Sequence, residues 1–195
     1  ETVRTIMASF EKRGSFLLGD ATGVGKGRTL AGLTLEYTTA RSASRVVWIS
    51  ANSRLETEAR RELEIVGADP TCVIFQSYSS LYNTHNLEKT RSWIRDSPST
   101  PLLLLDECHL LRNPKSVGMQ VVDDILKTRS HNVVYSSATP FSSSQHLAYL
   151  GRIGLFDSRE SPFPSYQKLR AEMNHHGSAY MELLAMDLKS KGAYV

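Results

Sequence analysis

Short runs of Val, Ile, Leu and Phe alternate along this chain with longer segments in which apolar residues return every three or four positions. The short runs read as buried strands and the longer periodic segments as amphipathic helices. Their alternation predicts an α/β protein, a mainly parallel central sheet flanked by helices. A first helix is expected over 2–12, where Val3, Ile6, Met7 and Phe10 share one face and Gly14 closes it. A strand over 15–18 runs into a glycine-rich turn, and a helix over 26–38 follows. Further strands are expected at 45–50, 72–76, 102–105 and 132–136, with helices over 53–66 and 87–95. After Pro140 the strand-like runs stop, and a Pro-broken stretch at 161–164 precedes two amphipathic segments, 166–173 and 179–189. The pattern divides the chain into a sheet-bearing unit, 1–150, and a helical extension, 151–195, packed on it or leading to a further domain.

Composition narrows the class without naming a chemistry. A chain of 195 residues with 41% hydrophobic content is long enough for one substantial core. No apolar run reaches the ~18 residues that crossing a bilayer requires, so no membrane association is expected. The formal charge of +3 permits contact with nucleic acid phosphates without requiring it. Cys72 and Cys108 make neither a CxxC pair nor a disulfide framework, which fits a reducing, intracellular compartment. The start, Glu1-Thr2-Val3-Arg4, carries no signal-peptide pattern and no initiator Met, and leads straight into a helical pattern. A piece of a longer polypeptide is the expectation.

The chemistry begins at the turn Gly19-Asp20-Ala21-Thr22-Gly23-Val24-Gly25-Lys26-Gly27-Arg28-Thr29. A glycine-rich turn with an exposed lysine is the bland reading. Placement between a strand and a helix favours phosphate binding, because glycines let backbone N–H groups converge on an anion at a helix N-terminus and Lys26 reaches the outer phosphates. Thr22, Gly23, Val24, Gly25, Lys26, Gly27, Arg28 and Thr29 are the candidate nucleotide contacts. Gly27 stands where the usual phosphate loop has a Ser or Thr whose hydroxyl touches Mg²⁺. Thr22, Thr29, Asp106 or a water remain open as replacements.

The second signal is Leu102-Leu103-Leu104-Leu105-Asp106-Glu107-Cys108-His109. A buried strand delivers two acids to the carboxyl edge of the sheet, where open α/β folds bind their ligands. On its own an Asp-Glu pair after a strand is a solvated loop. With a phosphate loop ending another strand of the same sheet, Asp106 is expected to hold Mg²⁺ through water and Glu107 to orient the attacking water, with ATP as the nucleotide. His109 has no second ligand at i+3 or i+4, which disfavours a metal role. A coupling role is favoured by Ser136-Ser137-Ala138-Thr139, whose hydroxyls end the fifth strand. His175-His176 reads as a solvent-exposed pair.

The loop at Lys26, the Asp106-Glu107-Cys108-His109 box and Ser137-Ala138-Thr139 together resemble motifs I, II and III of superfamily 2 helicases and translocases. More narrowly the chain resembles the strawberry notch family, through Gly23-Val24-Gly25-Lys26-Gly27-Arg28-Thr29, Ile74-Phe75-Gln76-Ser77-Tyr78-Ser79-Ser80-Leu81, Val133 to Thr139 and Met181 to Lys189. The resemblance spans nearly the whole chain and makes Gly27 a family feature. It implies a first RecA-like motor domain, with Lys26, Asp106, Glu107 and His109 catalytic and Asp106 the metal residue. It also implies a glutamine motif upstream and a second RecA-like domain with an arginine finger downstream. Ser50, Asn52, Ser77, Tyr78 and Ser79 are implied to touch a nucleic acid backbone, DNA ahead of RNA. The implied location is nuclear in a eukaryote and cytoplasmic for a bacterial or phage protein. The function expected is therefore an ATP-hydrolysing motor domain, slow by itself. A nucleotide-dependent regulatory or scaffold module is the alternative, disfavoured by Glu107, and a small-molecule kinase is a third, disfavoured by Ser137-Ala138-Thr139.

Overall fold

A computed structural model of the protein describes residues 1–19, 25–111, 113, 115–138, 151, 153, 155–156, 161 and 163–195. Five strands, β1 (Ser15–Leu18), β2 (Val46–Ser50), β3 (Val73–Ser77), β4 (Leu102–Leu105) and β5 (Asn132–Ser136), form one sheet in the order β1-β5-β4-β2-β3. Every neighbouring pair is parallel. Parallel strands must be buried on both faces, which explains why the four leucines of β4 show no exposure at all. Each such leucine contributes about 1.5–3 kcal/mol by leaving water.

Successive residues of each strand point to opposite faces, and the two cores sort accordingly. One face carries Phe16, Leu18, Val46, Trp48, Leu102, Leu104 and Val134. They pack on α1 (Thr2–Arg13), α2 (Lys26–Ala40) and α3 (Leu55–Val66) through Ile6, Phe10, Leu30, Leu33, Tyr37 and Leu63. The other face carries Leu17, Val47, Ile49, Leu103, Leu105, Val133 and Tyr135. It is covered by α4 (Thr84–Arg95), α5 (Val117–Leu126), α6 (Tyr166–His176) and α7 (Ser178–Ser190). Leu169, Met173, Leu184 and Leu188 from the last two helices lie in that same core, so the helical extension shares the core of the sheet.

Two features differ from the pattern read along the chain. The reading placed no helix between β4 and β5, yet α5 is there, buried through Gly118, Val122, Ile125 and Leu126 and capped by the Ser116 hydroxyl, which accepts from the Met119 N–H at 3.2 Å. Its apolar positions at i, i+4, i+7 and i+8 are helical and follow a polar stretch. The chain also returns to the sheet after α7. The Leu17 N–H donates to Ala193 O at 2.9 Å and the Val195 N–H to Leu17 O at 3.2 Å, so 193–195 runs parallel along the open edge of β1. Covering that edge removes unpaired backbone groups from solvent. The Tyr194 ring then lies where a side chain on Gly19 would have to go.

Candidate functional site

All five strands point their carboxyl ends the same way, so the segments leaving β1 and β4 emerge on one edge. Only β5 separates those two strands, which sets the exits about 10 Å apart, two strand spacings. That span suits a polyphosphate with its metal. A groove of about 1080 Å³ opens there, and Gly25, Lys26, Gly27 and Arg28 line it together with Asp106 and Glu107. The structure thus brings the amine and both acids to one cavity, with α3 as the far wall.

On the phosphate side Gly25 has φ of 86°, a left-handed conformation that a residue with a Cβ rarely adopts, and Lys26 is the first residue of α2. The N–H groups of a helix start and its partial positive charge therefore lie at the groove. Thr29 donates its backbone N–H to Gly25 O at 2.9 Å and does not line the groove. Arg28, a candidate nucleotide contact, instead pairs with Glu62 of α3. That pairing raises the arginine pKa and lowers the glutamate's, in both cases chiefly through the side-chain hydrogen bond. A Cβ on Gly27 would meet Glu62 Cγ at an ordinary 3.6 Å, so packing does not require a glycine there. Thr22, Gly23 and Val24 lie outside the described residues. Trp48 lines the groove with a buried indole N–H that has no hydrogen-bond partner among the described residues.

The acidic side is tied down from several strands. Continuing the strand register one step beyond Ile49, Leu105 and Tyr135 sets Ser50, Asp106 and Ser136 in one row. The hydroxyls use that row: Ser50 donates to Asp106 Oδ2 at 2.9 Å and Ser136 to Oδ1 at 3.2 Å. Each carboxylate oxygen keeps a further lone pair for other donors. The Tyr78 hydroxyl donates to the Asp106 carbonyl at 2.9 Å. Glu107 has φ of 50°, a conformation that costs a non-glycine residue about 1–3 kcal/mol and recurs at functional sites. Its Oε2 lies 3.2 Å from His109 Nδ1, which lies 3.2 Å from Ser137 Oγ. These two contacts form a chain that leads from Glu107 through His109 to the end of β5. Ala138 follows that end, and Thr139 lies outside the described residues.

Three of the residues expected to face a nucleic acid are buried. Ser50, Ser77 and Tyr78 are 0%, 5% and 6% exposed, and two of them serve Asp106. Asn52 and Ser79 are exposed. Pattern reading missed Ser50, Ser136 and Tyr78 as partners of Asp106. The available signal was a hydroxyl directly after the apolar run in two strands, which acquires meaning only once the register aligns it with the acid. Both cysteines are free thiols, and burial pushes Cys72 up to about 11, leaving it neutral and unreactive. Among the described residues, no helix is long and apolar enough to cross a membrane.

Comparison with known proteins places the chain in a family. The family model described as P-loop containing NTP hydrolase pore-1 matches residues 3–73 and 70–195. The chain belongs to that family. As a P-loop NTP hydrolase pore-1 protein it has relatives that bear out the likeness to strawberry notch proteins. Protein FORGETTER 1 of Arabidopsis thaliana is 34% identical over 221 residues, covering 94% of this chain and 17% of that protein. Strawberry notch homolog 1 of Homo sapiens is 31% identical over 224 residues, covering 94% of this chain and 16% of that protein. The chain therefore spans less than a fifth of these relatives. Among solved structures, the Sulfolobus solfataricus SWI2/SNF2 ATPase core in complex with dsDNA superposes with a TM-score of 0.63 at 13% identity, covering 97% of this chain and 43% of that one. The pore-1 chain has the RecA-like P-loop fold, with its parallel sheet and flanking helices.

Proposed function

We propose that this chain is the ATP-binding and ATP-hydrolysing first motor domain of a superfamily 2 helicase or translocase that acts on DNA. The observation that carries the reading is the shared groove: Lys26 at a helix N-terminus and the Asp106-Glu107 pair line one cavity. The residues fit a magnesium nucleotide. Lys26 and the backbone of 25–28 would hold the outer phosphates, and Asp106, oriented by two hydroxyls, would hold Mg²⁺. Bound Mg²⁺ neutralises charge that develops on the phosphates during transfer. Glu107 orients the attacking water, and His109 with Ser137 reports the state of the groove to β5.

A second RecA-like domain of the same polypeptide completes the site and closes it against water, so the domain alone is slow. Asn52 and Ser79 are the exposed residues proposed to touch the DNA backbone. An SWI2/SNF2 core held on duplex DNA supports duplex as the first polymer to try. The test is the ATP turnover of the full-length protein with duplex DNA, single-stranded DNA or RNA, at several salt concentrations because phosphate contacts weaken steeply with ionic strength. Stimulation by duplex, declining with salt, is expected. Turnover that no nucleic acid changes at any salt would assign the domain to a nucleotide switch without translocation.

A further inference from the structure

Tyr78 lies on the turn after β3, away from the groove in sequence and 6% exposed, and the reaction outlined above gives it no role. Its surroundings form a closed ring of hydrogen bonds. The Tyr78 N–H donates to Ser50 O at 3.0 Å, the Ser50 hydroxyl to Asp106 Oδ2 at 2.9 Å, and the Tyr78 hydroxyl to Asp106 O at 2.9 Å. The Asp106 N–H closes the frame on Ile49 O at 2.8 Å. The acid is therefore gripped at its backbone N–H, its carbonyl and its carboxylate by two neighbouring segments.

The carbonyl contact has the more specific consequence. Asp106 O belongs to the peptide plane that joins Asp106 to Glu107, and Glu107 is one of two non-glycine residues among those described with positive φ. A glutamate does not choose that conformation, and rotation of the preceding peptide would release it toward the usual regions. Release would carry the Glu107 carboxylate away from His109 Nδ1, now 3.2 Å from it. The turn that holds Tyr78 is itself braced, with the Ser80 hydroxyl on Gln76 Oε1 at 2.7 Å and Asn86 Nδ2 on Ser80 O at 3.1 Å. The hydroxyl is thus presented by a rigid element.

We infer that Tyr78 is a positioning residue for hydrolysis: its hydroxyl locks the Asp106–Glu107 peptide and so holds Glu107 in the conformation that aims its carboxylate at the attacking water. The inference rests on the hydrolytic role proposed for Glu107. Tyr78→Phe keeps the buried ring and removes only the hydroxyl, so packing and positioning are separable.

In the full-length protein, Y78F is expected to lower kcat about ten- to a hundredfold, the scale of loss from a small misplacement of a catalytic group. KM for ATP stays at its wild-type value, and the thermal midpoint falls only slightly, as for one lost hydrogen bond. Added to Glu107→Gln, Y78F lowers the residual single-turnover rate no further. Independently of turnover, hydrogen exchange at the amides of 106–109 accelerates in Y78F while the rest of the sheet is unchanged. Wild-type kcat in Y78F, or a fall in kcat with unchanged exchange at 106–109, overturns the inference and leaves the proposed function standing. If the wild-type protein hydrolyses no ATP, the proposed function fails, and exchange alone then decides whether Tyr78 holds this peptide: unchanged protection at 106–109 overturns that too.

Discussion

The two sides of the groove are built by opposite means. On the acidic side, hydroxyls from β2, from β5 and from the turn after β3 converge on Asp106, and Glu107 and His109 extend the network to Ser137. On the phosphate side, what faces the groove is backbone at a helix start together with a lysine, and Arg28 is engaged with α3. Dense hydrogen bonding to buried groups fixes geometry before any ligand arrives, which is what orienting a water demands. A helix N-terminus supplies charge and donors to any suitably placed anion, which is what holding phosphates demands. The acidic side should therefore govern rate, and the phosphate side affinity.

Substitutions on either side break or sharpen that division, and the largest effect is expected at Glu107. Glu107→Gln should lower ATP turnover of the full-length protein by about a hundredfold or more while ATP stays bound, since an amide cannot take the proton of the attacking water. Undiminished phosphate release would remove Glu107 from the chemistry. Next in size is Lys26→Ala, expected to weaken ATP binding about ten- to a hundredfold in equilibrium titration, the range for a hydrogen bond to a charged group. Equal affinity in this variant would mean that the lysine does not reach the phosphates.

Ser50→Ala tests the preorganised side more finely. It leaves Asp106 Oδ2 without its hydroxyl donor, and a several-fold fall in kcat is expected with little change in ATP affinity. A change in affinity alone would contradict the division between the two sides. The smallest effect belongs to the Arg28–Glu62 pair. Arg28 holds the Glu62 carboxyl below its ordinary range, chiefly by hydrogen bonding. A carboxylate whose folded pKa is depressed adds stability that is present above its unfolded pKa and is lost as pH falls through the folded one. In Arg28→Ala, an NMR titration of Glu62 should move up toward the ordinary value, and the acid-side loss of stability linked to this residue should disappear. Because the pair is exposed to solvent, the change in melting temperature should be slight.

Legibility in the chain followed how local each signal was. The four leucines before Asp106 and the glycines around Lys26 are contiguous, so strand, loop and acids are readable in order, and the parallel sheet follows from their alternation with helices. The row of Ser50, Asp106 and Ser136 is not contiguous. It exists only because β4 lies between β2 and β5 in the sheet, an order that no stretch of sequence spells out. The family resemblance implied a nucleic acid contact for Ser50 and Tyr78, and only the fold shows their hydroxyls on Asp106. Helix α5 carried a readable helical period behind a polar stretch. The return of 193–195 to the edge of β1 did not show, since three residues are too few to display a period of two.

The central claim is that Lys26 and the pair Asp106-Glu107 serve one nucleotide. A structure of the full-length protein with Mg²⁺ and a non-hydrolysable ATP analogue tests it most directly. The account predicts one nucleotide in this groove, its outer phosphates against Lys26 and its metal on the side of Asp106. A nucleotide seated elsewhere, or one that meets the lysine while the two acids face away from it, would contradict it.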